Sequence, residues 1–210
     1  IEEAITKVIA GVAKKSRVIS EPERKLTAYH EAGHAVCAHV LDHVSPVHQV
    51  TIVPRGRAGG FTMQLPVEDK FYATKNEMKE NLIVLLGGRV AEELTLDDIS
   101  TGASNDLERV ASTARQMVTK YGMSTKLGPM AFGDSEEEVF LGNSIGNKRN
   151  YSEEVASEID QEIRSIVDTA YKKTRTLLND NMDRLEYVAQ ALLIYETLDA
   201  EQFIKAFNKE

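Results

Sequence analysis

His30-Glu31-Ala32-Gly33-His34 sets two imidazoles four residues apart with a carboxylate between them. On a helix that spacing puts both rings on one face, where they can share a tetrahedral zinc ion. Glu31 points in an adjacent direction. From there it can take a proton from an attacking water and return it to the leaving amine of a peptide, so five residues supply metal ligands and a general base. The competing reading is five ordinary helix residues in a chance order, and the pattern alone does not exclude it.

A catalytic zinc needs a third protein ligand. A metzincin-type site would carry its third histidine at the position held here by Val40. A thermolysin-like site would use a glutamate about twenty residues downstream, but no Glu occurs between Glu31 and Glu68. His39, His43 and His48 are nearer. His39, however, lies roughly 500° around the helix from His34, on another face, and His39 and His43 read as solvated side chains. Among the later acids Asp106 fits best, because the start of a helix favours the ionised form that a ligand carboxylate needs. A plain helix-start acid would look the same, and spacing leaves the two readings open.

The elements that must hold these residues are legible in outline. Ser20-Glu21-Pro22-Glu23 has the form of a capping box with Pro22 in the first turn. Leu26, Tyr29, Gly33, Val36, Cys37, Val40 and Leu41 then recur at helical spacing, which predicts a helix to about His43, ahead of Pro46. Residues 47–53 are rich in β-branched side chains, and Phe61, Met63 and Leu65 alternate with polar residues, so a small hairpin is expected. The glycines at 56, 59 and 60 make its turn; no GK[ST] follows them, so they are not a phosphate loop.

Thr74 and Glu77 form a second capping box, opening a helix to about Leu94 in which Gly87 and Gly88 imply close packing. A polar connector leads to a helix from about Asn105 to Tyr121, stopped at Gly122. A glycine-rich stretch reads as surface loop, Ser152 caps a long helix, and two shorter helices follow near 182–195 and 200–208. Residues 1–18 read as a short amphipathic helix and a basic connector belonging to a neighbouring domain. The expected class is therefore mainly α with a small β-hairpin.

Composition narrows the function. The 210 residues are 42% hydrophobic and 28% charged, as in ordinary globular proteins, and apolar runs such as 82–86 are too short to span a bilayer. The piece is expected to be soluble. A net charge of −8 lacks the basic surface that a nucleic acid requires. The single cysteine, Cys37, excludes an internal disulfide and suits a reducing compartment. The first residue is Ile and no signal peptide follows, so the chain is read as a piece of a longer protein.

Four motifs in order carry a resemblance: HEAGH at 30–34, VTIVPRG at 50–56, LGGRVAEE at 86–93 and STGASND at 100–106. From about residue 5 onward the chain resembles the FtsH-type AAA-associated zinc metalloproteases. The resemblance implies one zinc per chain on His30, His34 and Asp106, Glu31 as the catalytic base, and Glu92 orienting a ligand imidazole by hydrogen bonding. A solvated helix end would be the plain reading of Glu92 and Glu93. The strand at Gly60, Phe61, Thr62 and Met63 would pair with an extended substrate if it lies at an edge beside the zinc; a purely structural hairpin is the alternative.

The resemblance further implies an N-terminal membrane anchor, an ATPase module that feeds unfolded or membrane-extracted proteins to the protease, and a homo-hexameric ring on the cytoplasmic face of the cell membrane. ATP would act only through that module, since no Walker A sequence occurs here. Residues 1–18 would be its tail and 19–210 the protease domain. The connector from Glu93 to Ser100 is shorter than in many members. Two rivals stand beside this reading. An inactive metal-binding assembly module would have no need of Glu31, and a deformylase-like HExxH hydrolase would not share the order of the four motifs.

Overall fold

The computed structural model describes residues 19–55, 59–66, 68, 70–132 and 151–210. The amphipathic segment expected at 1–18 and most of the expected surface loop lie outside the described residues. Helix α1 (Glu21–Val40) begins where Ser20 accepts the Glu23 N–H on its hydroxyl and Pro22 occupies the first turn. Every residue from Ala28 to Ala38 is buried. The apolar stripe expected from spacing is thus a helix enclosed on all sides, because Ala28, Ala32, Ala35 and Gly33 let neighbours approach the remaining faces. The helix stops at Val40, short of the expected His43, as Leu41 turns extended, and Val40 stands exposed at the end instead of in the core.

Helix α2 (Lys75–Leu96) packs along α1. Its capping box is complete: Thr74 accepts the Glu77 N–H at 3.2 Å and donates its own N–H to the Glu77 carboxylate at 2.6 Å. Removing the side-chain half with Thr74→Ala is expected to cost about 1 kcal/mol in denaturant unfolding. A midpoint equal to the unsubstituted protein's would mean the cap adds nothing. A 3₁₀ turn, Thr101–Ala103, leads into α3 (Ser104–Thr119). The long α4 (Glu153–Asp180), capped by Ser152, then packs against α2 and α3. Helices α5 (Met182–Tyr195) and α6 (Ala200–Asn208) match the positions expected from sequence.

The expected hairpin forms from β1 (Val47–Thr51) and β2 (Phe61–Gln64), antiparallel, with an irregularity between Val47 and Gln49. A third strand unseen in the sequence, β3 (Thr197–Asp199), pairs with the other side of β1. The order is β2-β1-β3, so β2 lies at an edge. His39 is exposed, as expected, and one side of its ring stands edge-on to Phe207 and Phe203 of α6, with centroids 4.4 and 5.5 Å away. Among the described residues no helix is long and apolar enough to cross a membrane.

Candidate metal centre

Three elements deliver the site. Helix α1 presents His30, Glu31 and His34 on buried faces, α2 supplies anchors for the rings, and the first turn of α3 brings in Asp106. His30 Nδ1–H donates to Glu92 Oε1 and His34 Nδ1–H donates to the Val84 carbonyl, each at 2.7 Å. An ionised carboxylate and a carbonyl can only accept, so the proton of each neutral ring sits on Nδ1 and a bare Nε2 turns inward.

The two Nε2 atoms face each other at 3.1 Å, and Asp106 Oδ2 lies 3.4 Å from both. Three acceptors this close repel one another unless a cation lies among them. A tetrahedral zinc with bonds of about 2.0–2.1 Å keeps its ligands about 3.3 Å apart. The three edges of the triangle lie close to that figure, so the donor set fits the metal. His30, His34 and Asp106 are also the cluster of potential metal-binding side chains found among the described residues.

The electrostatics point the same way. Burial opposes charge on His30, yet hydrogen bonds to Asp106 and Glu92, with the Glu31 charge nearby, lift its pKa to about 10. Burial likewise opposes the Asp106 anion, but hydrogen bonds to both imidazoles hold its carboxyl far below the usual range. Without a metal, a proton on His30 meets the demand for positive charge; a metal ion would replace it. Burial pushes the Glu31 carboxyl up, opposed by the two imidazoles and by a hydrogen bond from Thr62.

Glu92 is fully buried, which removes the solvated-helix-end reading. Besides the His30 ring it accepts the Ser100 N–H at 2.8 Å and the Ser100 hydroxyl at 3.1 Å. Burial works against its charge, and those hydrogen bonds hold its carboxyl below the usual range. Glu93 faces away, accepting from the Tyr171 hydroxyl and from Arg175 on α4. Ser100 and the Val84 carbonyl were not foreseen. Ser100 had a signal, as the first residue of the STGASND motif, whereas a backbone carbonyl has none. Of the strand residues, Met63 is buried, the Thr62 hydroxyl is engaged with Glu31, and Gly60 lies against the Glu31 stem. Phe61 is half-buried, with the Arg55 guanidinium 5.9 Å from its ring centroid.

The sequence matches peptidase family M41 over residues 17–206, nearly the whole chain. The chain belongs to peptidase family M41. It is 69% identical over its full length to the ATP-dependent zinc metalloprotease FtsH 2 of Alkaliphilus metalliredigens (strain QYMF), covering 30% of that protein. It is 60% identical over its full length to FtsH 1 of Thermoanaerobacter sp. (strain X514), covering 34% of it. It is 54% identical over 96% of its length to FtsH of Bacillus subtilis (strain 168), covering 32% of it. This M41 chain thus spans about a third of the length of the curated relatives it matches. The mainly helical architecture with a small antiparallel sheet agrees with membership of M41.

Proposed function

We propose that the chain is the zinc-dependent endopeptidase part of a longer, ATP-dependent protease. The observation that carries the reading is the triangle of His30 Nε2, His34 Nε2 and Asp106 Oδ2 at zinc-ligand spacing, with Glu31 buried beside it. His30, His34 and Asp106 would hold the ion, and Glu92 would fix the His30 ring through Nδ1. Zinc, when bound, supplies Lewis-acid polarisation of the peptide carbonyl and of the attacking water. Glu31 takes the proton from that water and delivers it to the leaving nitrogen. The exposed backbone edge of β2 receives an extended substrate chain, selecting little by side chain.

The substrates that suit this arrangement are unfolded or membrane-extracted proteins. Support for an attached ATPase comes from the relatives' description as ATP-dependent and from the two thirds of their length outside the match. The hexameric ring, the membrane anchor and the cytoplasmic face of the membrane rest on the resemblance to FtsH-type proteases.

The test compares the protein with Asp106→Ala, measuring zinc per chain by elemental analysis and cleavage of an unfolded protein. About one zinc is expected before substitution. Loss of a ligand should weaken zinc binding by more than the roughly 10- to 100-fold typical of changes outside the ligand set. Cleavage should fall in parallel. Equal zinc in both proteins would remove Asp106 from the ligand set, and no cleavage by the zinc-loaded parent would overturn the peptidase reading.

A further inference from the structure

Strand β2 touches the side chain of Glu31 at two points. Thr62 Oγ1 lies 2.8 Å from Glu31 Oε2 and 3.1 Å from the Glu31 backbone carbonyl. Both of those oxygens only accept, so the single hydroxyl proton of Thr62 is shared between them. Two residues earlier, just ahead of the strand, a Cβ at Gly60 would lie 2.9 Å from Glu31 Cγ and 2.6 Å from the Thr51 carbonyl. A side chain at position 60 would therefore push β2 off the stem of Glu31.

Glu31 has several rotatable bonds, and its place in the site depends on what fixes them. A misplacement of about 1 Å can cost roughly a hundredfold in rate. Helix α1 fixes the Cα of Glu31 but not its carboxylate. The carboxylate is gripped from another element, by a hydroxyl that also holds the backbone of the same residue.

We propose that Thr62 is a positioning residue for Glu31: its hydroxyl fixes Oε2 and leaves Oε1 to take the proton. This rests on the reading of Glu31 as the base. It gives β2 two tasks, since the strand whose open edge receives the substrate backbone also sets the group that activates the water. Substrate and base are thereby both referenced to one strand.

The experiment compares Thr62→Val, nearly isosteric but without the hydroxyl, Thr62→Ser, which keeps it, and Glu31→Gln, all in the intact zinc-loaded protein with a dye-labelled unfolded protein as substrate. Rates are taken per bound zinc, so partial metal loss does not count as an effect. Thr62→Val is expected to lower kcat roughly tenfold to a hundredfold with KM unchanged, and Thr62→Ser to recover most of it. Three results would each overturn the proposal: unchanged kcat in Thr62→Val, equal losses in the Val and Ser variants, or a change confined to KM. The first would mean the hydroxyl is idle, the second that packing matters rather than the donor, and the third that the strand acts on substrate alone. Turnover that survives in Glu31→Gln would instead overturn the underlying reading of the base.

Discussion

Glu31→Gln is expected to keep its zinc and to lower kcat for an unfolded protein substrate by about a thousandfold or more, as loss of a well-placed general base does. The amide has the shape of the carboxylate, and its oxygen can still accept from Thr62, so the surroundings of the residue change little. What it loses is the ability to take a proton. Metal binding should survive because Glu31 is not among the three acceptors whose spacing fits the ion. Nor should the fold weaken, since burial already works against charge at this position and a neutral amide escapes that cost. Zinc per chain, the melting temperature and turnover together decide the matter. Zinc loss would make Glu31 a ligand, and surviving turnover would place the base elsewhere.

Which parts of this site could be read from sequence follows from the range of the forces involved. The pairing of His30 with His34 is a local property of a helix, set by residues four apart, and needed no fold to be seen. Caps are equally local: Ser20, Thr74 and Ser152 each accept the backbone N–H expected of them. Asp106 is different. Its carboxylate meets the imidazoles only because α3 begins beside α1, and no spacing rule reports that; the family motif did.

Glu92 was undecidable for a related reason. A glutamate near the end of α2 is solvated unless something folds over it, and here the turn at Ser100 does so, closing both carboxylate oxygens with hydrogen bonds. Strand β3 escaped because three residues between two helices are too few to show a period of two. The full burial of α1 escaped because alanine and glycine carry little hydrophobic signal, and it is their small size that lets other helices come close.

That closeness makes Gly33→Ala the substitution with the largest expected effect on stability, a loss of about 3 kcal/mol or more. In an isolated helix the change would help, since alanine is favoured over glycine by about 1 kcal/mol. Here a Cβ at Gly33 would lie 2.4 Å from the Gly87 carbonyl oxygen and 2.6 Å from Ala91 Cβ, while one at Gly87 would lie 2.7 Å from the Gly33 carbonyl oxygen. The helices meet backbone to backbone, so no rotamer can absorb the methyl group and α1 must move away from α2. The same movement stretches the 2.7 Å bonds from His34 to the Val84 carbonyl and from His30 to Glu92, so zinc affinity should fall together with stability. Gly88→Ala separates the two effects. Its Cβ would meet the His30 ring at 2.5 Å, a side chain that can turn, so the metal should be weakened with a smaller loss of stability. Unfolding with and without chelator, alongside zinc affinity, distinguishes these outcomes. A Gly33→Ala protein that melts and binds zinc like its parent would show that the helices are not in backbone contact, and that the anchoring of both imidazoles does not depend on their crossing.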